Sequence, residues 1–511
     1  MIQKMKNVVG IKTTAAASTS SASSSKGRAL LCLGSNFFGQ LGLGLRTREN
    51  QWQPSPFGSS ESEALDYSLV KDVQAGSQFS LVLSVSGEIS FCGILNGMVF
   101  PVLSPVEILW PLKCSQLACG RKHMLALMEG GCVLSWGTGY FGQLGHGDDS
   151  SWDNPKMIHA LEPSHLGARV TRVVCGGSHS GCLTEQGKAY MWGLNKSGQC
   201  GVTVRTDSVM EPALVDMSVM EGGAKARLLV CGRNHSAMVT HMGRVYTWGA
   251  SSFGRLGLSD TRKIQPLPCE VTFFSAAIPV LSLASGDFHM LALGEDGGVY
   301  SWGYGSEGQT GQSSLLHLRS PRRIDSLDEF DIVSVACGGS FSMAVSRLGR
   351  LYAWGYGDGG WLGISPPSPS PAIPLPYFES ENAAEHPIID AHSTCSFDSN
   401  LNVLVPRCVK LLATSKVEGV RCGGGHTVLF VSLRSPEEEK ECAAYDEKNH
   451  EGDELDGKGG RGAEEDGKDG DRDRDEQLIS WCRHKKIPEI LNSLSRGANV
   501  NVRDALGNTV S

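Results

Sequence analysis

The sequence predicts an all-β chain built from copies of one hairpin, and three observations predict it. A fixed spacing of glycines recurs along the 511 residues. Each copy alternates short apolar runs with turn residues. The copies break off half a unit out of phase at the two ends. Repeats of this length are read before anything else, because missing them misreads the whole fold.

The spacing is a Gly with His or Phe three residues on, then Gly at +11 and at +17. Six stretches carry it: Gly76/Gly87/Gly93, Gly120/Gly131/Gly137, Gly176/Gly187/Gly193, Gly232/Gly243/Gly249, Gly286/Gly297/Gly303 and Gly338/Gly349/Gly355. A seventh start stands at Gly423, in CGGGHTVLF, with no Gly at +11 or +17. Its missing half lies at the other terminus, where LLCLGSNFFGQLGLG opens on a final half-motif with nothing before it.

Within HSGCLTEQGKAYMWG the spacing predicts a strand over 180–184, a turn at 185–188 with Gly187 at positive φ, and a strand over 189–192. HMLALGEDGGVYSWG and FSMAVSRLGRLYAWG repeat the pattern. The constant spacing fits a packed hairpin whose register cannot slip. The connections between units vary in length, as surface loops do. The shortest follows FCGILNG, and this unit is expected to be degenerate, with short outer strands. The Trp at 136, 192, 248, 302 and 354 are expected in the core.

Composition agrees. Gly makes up 63 of 511 residues, well above the usual share of about 7%, without a G-x-y period. The 16 Cys include no C-x-x-C. Cys119, Cys175, Cys231, Cys337 and Cys422 share one repeat position, held elsewhere by Ala75 and Ser285, which reads as a small buried packing site. Many free thiols suit a reducing compartment, and a cytoplasmic or nuclear location is expected. No apolar run reaches the 18 residues of a membrane span. The recurring His (123, 179, 235, 289, 426) shares its position with Phe79 and Phe341, so a buried, hydrogen-bonded role is expected rather than a metal. No phosphate loop, zinc motif or nucleophile elbow is present. No enzyme activity, metal or cofactor is expected.

The pairing of W-G-x-N/G-x-x-G-Q-L-G with C-G-x-x-H-S/T, at 52–56 residues per unit, resembles the regulator of chromosome condensation repeat over roughly 29–434. The resemblance implies a seven-bladed β-propeller, closed by N-terminal and C-terminal strands that complete one blade together. Residues 1–28 carry five basic and no acidic residues and read as a disordered tail with transit-peptide composition. Residues 435–476 hold 18 acidic and 7 basic residues and read as a disordered linker. GANVNVRDALGNT within 477–511 resembles an ankyrin turn, so a short helical, incomplete ankyrin repeat is expected there.

The ring itself holds 29 basic and 34 acidic residues, a poor balance for non-specific nucleic-acid binding. The resemblance places partner docking on the two residues between Gly and His of each unit. These pairs are Ser77–Gln78, Arg121–Lys122, Gly177–Ser178, Arg233–Asn234, Asp287–Phe288, Gly339–Ser340 and Gly424–Gly425. Candidate partner-binding residues are Gln78, Arg121, Lys122, Arg233, Asn234, Asp287 and Phe288, with Tyr377 and Phe378 of the Pro-rich insertion as a rival anchor. Asp287 matches an Asp that the family's nuclear exchange factor uses. A light-sensing branch places Trp at the first pair position of several blades, and none of the seven here is Trp. The expected function is a monomeric scaffold binding a protein partner. The alternatives are a regulator or exchange factor of a small GTPase, and a substrate receptor associated with a ubiquitin ligase. The basic pairs flanking Gly177–Ser178 suggest a concave positive spot for an acidic partner surface.

Overall fold

In the computed structural model, residues 28–442 are described except 45–50, 59–66, 108–112, 219, 221–222, 275–277, 365–401, 410–411 and 413–414. The chain divides into two compact units, 1–440 and 441–511. The first holds the repeats. The ankyrin-like stretch, Tyr377, Phe378 and the N-terminal tail lie outside the described residues.

Seven four-stranded antiparallel sheets form, one per unit. Blade 1 spans residues 70–106, blade 2 114–157, blade 3 170–214, blade 4 226–270, blade 5 280–323 and blade 6 332–408. Blade 7 joins Ser415–Cys422 and His426–Leu433 to Arg28–Gly34 and Gln51–Pro56. Arg28–Gly34 pairs residue for residue with His426–Leu433, from Arg28 opposite Ser432 to Gly34 opposite His426. Two strands from each end therefore close the ring, as the phase offset implied.

The second and third strands of each blade are buried along nearly their whole length, as in His179–Thr184. The fourth strand is half exposed, as in Ser208–Leu214. Apolar side chains thus fill the spaces between neighbouring sheets. Trp136, Trp192, Trp248, Trp302 and Trp354 are all fully buried there. The glycine at +17 is at φ 103 in Gly193, where a Cβ would stand 2.7 Å from the Cα of His179. That conformation and that approach need glycine.

Two expectations are corrected. Blade 1 does not have a short outer strand: Met98–Val106 is nine residues long. Its connection is short because a two-residue turn, Asn96–Gly97 at φ 46 and 88, replaces the Gly-rich loop of the other blades. The acidic segment also does not begin unstructured. Residues 436–440 are helical, capped reciprocally by Ser435 and Glu438, with Glu438 ion-paired to Lys416 of blade 7. Among the described residues, no helix is long and apolar enough to cross a membrane.

Candidate partner-docking face

The pair residues sit in the turn between the first and second strands. The Gly-rich loop joins the third and fourth strands, so the chain reverses place both on one face of the ring. In all seven blades, blade 1 with its short Asn96–Gly97 turn included, the pair turn is tied in the same way to the backbone just past the +17 glycine. The carbonyl of the second pair residue accepts the N–H just past the +17 glycine: Gln78 from Ile94, Lys122 from Thr138, Ser178 from Leu194, Asn234 from Ala250, Phe288 from Tyr304, Ser340 from Tyr356 and Gly425 from Ser35.

Below this face the first glycines close a circle. A Cβ at Gly176 would stand 2.6 Å from the carbonyl oxygen of Gly232, one at Gly232 the same from Gly286, and one at Gly423 2.4 Å from Gly76. They surround a central cavity of about 310 Å3. The shared Cys position lines its wall with Cys119, Cys175, Cys231, Cys337 and Cys422. These thiols are half-buried, lining the cavity while packing against the blade cores. Burial pushes the Cys231 and Cys422 thiols up to about 12 and raises those of Cys119, Cys175 and Cys337 well above the ordinary thiol range.

The histidines stitch each blade to the next. His123, His179, His289 and His426 meet Ser180, Ser236, Ser342 and Ser80 at 2.9 Å through Nε2. Each of these serines also donates its hydroxyl proton to a Gln carbonyl at 2.8 Å. The serine oxygen must therefore accept from the imidazole, which fixes the neutral ring with its proton on Nε2. In blade 5, Met290 stands where the serine would be, and Ser285, from the Cys position, meets His235 at 3.0 Å instead. Ser285 is thus a hydrogen-bonding residue and not a packing filler. Burial lowers His123, His289 and His426 to about 4 and His179 to about 3, and drives His235 well down.

The mouth of the cavity is lined by Ser77, Arg121, Asp287, Ser340 and Trp361. Burial raises the Asp287 carboxyl, opposed by the nearby Arg121, Arg233 and Arg255. Three of the sequence-predicted residues therefore converge. Phe288 joins them, with the Arg233 guanidinium 5.3 Å from its ring centroid. Lys122 is exposed and Asn234 half-buried beside this group. Gln78 stands apart on blade 1. The Gly177–Ser178 pair is no open notch. Gly177 is buried, and a Cβ there would lie 2.5 Å from the Arg233 carbonyl oxygen, so the backbone of blade 4 covers it. The concavity is at the cavity mouth.

Sequence reasoning missed Arg255 and Trp361. The signal was available: both stand where other Gly-rich loops have Gln40, Gln143, Gln199 and Gln309.

Comparison with known proteins gives a consistent result. Residues 163–433 match the RCC1-like domain, and residues 114–143 and 130–183 match the regulator of chromosome condensation (RCC1) repeat. The ultraviolet-B receptor UVR8 of Arabidopsis thaliana is 32% identical over 335 residues, 64% of this chain and 72% of the receptor. The human E3 ubiquitin-protein ligase HERC2 is 31% identical over 317 residues, which are 60% of this chain and 6% of the ligase. The crystal structure of Prp20p from Saccharomyces cerevisiae, described with its binding to Gsp1p and histones, superposes with a TM-score of 0.66 at 19% identity. It covers 84% of this chain and 96% of that one.

Proposed function

The chain belongs to the RCC1-like family of repeat propellers, and from that premise we propose that it is a protein-binding module whose partner docks on the face carrying the pair residues. One observation carries the reading: Arg121, Arg233 and Arg255, from blades 2 and 4, act together on the Asp287 carboxyl of blade 5 at the cavity mouth. A fold does not need three cations acting on one half-buried acid. Arginine and aromatic side chains gathered on one surface are the groups that anchor protein interfaces. The bonds that tie the second pair residues to the ring run through their main-chain carbonyls, so their side chains can vary without loss of those bonds. The test is capture of binding proteins from a lysate by the full chain and by a variant carrying Arg121→Glu and Arg233→Glu. Partners lost by the variant define the docking set, and an unchanged set refutes the reading.

A second reading, regulation of a small GTPase, has its own support. Asp287 directly follows the first glycine of its blade, and Prp20p, of the same fold, is described as binding Gsp1p. An exchange factor prefers the nucleotide-free GTPase. Comparing capture of nucleotide-free and GTP-loaded GTPases separates the two readings, since a scaffold has no such preference.

A further inference from the structure

Each Gly-rich loop is normally held by its own glutamine. Gln40, Gln143, Gln199 and Gln309 accept, through Oε1, the N–H of the residue two places earlier: Phe38, Phe141, Ser197 and Glu307. Arg255 fills this slot in blade 4 and Trp361 in blade 6. Arginine has no acceptor to offer, and the loop changes shape. Phe253 turns to φ 64, as Gly359 turns to φ 81 ahead of Trp361. Glycine adopts this region freely, whereas a bulky residue there is an outlier. The replacement thus removes a loop cap and strains a phenylalanine.

In return it places a cation. Arg255 is 3% exposed and donates its Nε–H to the Ser252 carbonyl at 2.9 Å. Its guanidinium lies 4.6 Å from the Phe288 ring centroid and 5.6 Å from that of Phe253. Arg233 approaches the same Phe288 ring at 5.3 Å. Burial, then the neighbouring Arg233, lower Arg255 to about 10, and Asp287 alone works against them. With Arg121, three guanidiniums act electrostatically on the one Asp287 carboxyl, so the cations outnumber the acid. Beside it stands an aromatic rim: Phe253 is 44% exposed and lies 5.0 Å from both Tyr304 and His317, which stack at 4.8 Å.

We propose that the surface between blades 4 and 5, where Arg233, Phe288 and Phe253 gather over the nearly buried Arg255, takes an acidic side chain of a partner protein whose neighbouring apolar side chain packs on Phe253 and Tyr304. The proposal rests on the docking reading and names the chemistry of the docked segment. Guanidinium forks on an aromatic ring suit a planar carboxylate. Asp287, already among them, disfavours the second charge of a phosphate.

The probes are short fluorescein-labelled peptides of equal length with an Asp-Asp-Leu, Asn-Asn-Leu, Asp-Asp-Gly or phosphoserine-containing core, read by fluorescence anisotropy against the full chain. The Asp-Asp-Leu peptide is expected to bind best, and the Asn-Asn-Leu peptide about tenfold more weakly, the scale of one charge-assisted hydrogen bond. Arg255→Gln restores the residue other blades use, so it should fold with its melting temperature kept or raised while the preference for Asp over Asn disappears. The proposal is overturned if Arg255→Gln keeps that preference, if no peptide binds, or if only the phosphoserine peptide binds. Should Arg121→Glu lose lysate partners while Arg255→Gln keeps both partners and preference, the docking face stands and this acid-binding surface falls. Should both variants keep every partner, the docking face itself falls.

Discussion

Acid will unfold this propeller through its histidines, well before its carboxylates are protonated. His123, His289 and His426 sit near 4 and His179 near 3, against 6.5 for an unperturbed imidazole. The folded value is the lower one, so the unfolded chain binds protons first. Stability is then complete above about pH 6.5 and falls as the pH drops toward the folded values. At about pH 5, a group shifted from 6.5 to near 4 has lost roughly 2 kcal/mol by linkage. Four such groups approach ~8 kcal/mol, comparable to the 5–15 kcal/mol that holds a typical fold together. His235 is displaced in the same direction and adds to the loss. The lowered carboxyls, Asp148, Asp216, Asp296 and Glu438, act only below their ordinary range near pH 4.

Urea midpoints followed by tryptophan fluorescence at stepped pH read this directly. The slope should approach about 1.36 kcal/mol per pH unit for each histidine that titrates. His179→Phe isolates one share. Phe79 and Phe341 already occupy the equivalent site, fully buried, so the ring fits, and Ser236 keeps its bond to the Gln199 carbonyl. The variant should show a shallower slope by one histidine. A stability profile flat between about pH 6.5 and 4.5, or an unchanged slope in His179→Phe, would refute the reasoning.

Three further outcomes are expected. Deleting residues 29–44 removes the closing strand and the buried Leu30, Cys32, Leu33 and Leu41; calorimetry should show a lower, broader transition, and a melt like that of the full chain would contradict closure by that strand. Changing Arg121 and Arg233 to Glu should abolish partner capture while moving the melting temperature by no more than a few degrees. If that variant binds normally and deletion of residues 365–387 abolishes capture, the Pro-rich insertion is the docking element. Ser285→Ala leaves the buried His235 Nε2 without its hydroxyl partner, at a cost of about 1–3 kcal/mol measurable as a lower urea midpoint, and an unchanged midpoint would show that the hydroxyl adds nothing.

The ring was legible because its periodic residues each do one task that tolerates few substitutes. A glycine at φ 103 against the neighbouring strand, as at Gly193, leaves a mark in the sequence at every copy. The closure was legible once the family resemblance implied a ring, because the phase offset then left one blade to be completed by both ends. Blade 1 was misread because a short connection looks the same whether strands are lost or a loop is; only the Asn96–Gly97 turn pointed to the second. The exchange of roles at Ser285 was invisible, since its cause is Met290, whose position faces a different blade's histidine. Arg255 lies outside the pair positions that the family resemblance singles out, although its place in the Gln column marks it as a departure.

That last point bears on how function is written into such a chain. In four of the Gly-rich loops the glutamine caps the turn with its side chain, and in three blades its carbonyl also accepts the Trp Nε1–H of the next blade: Gln143 from Trp192, Gln199 from Trp248 and Gln309 from Trp354. Arg255 preserves the main-chain half of this arrangement, accepting from Trp302 at 3.0 Å. Only the side-chain half is given up, and the result is a charged, strained, aromatic-flanked loop. The scaffold thus separates two sets of demands. Main-chain bonds hold the ring whatever side chain stands at these positions, so a side chain can be exchanged for binding without losing the blade. Departures from the repeat, rather than its matches, are where a partner's chemistry should be sought, and Arg255, Phe253, Asp287 and Trp361 are the departures that gather on one face.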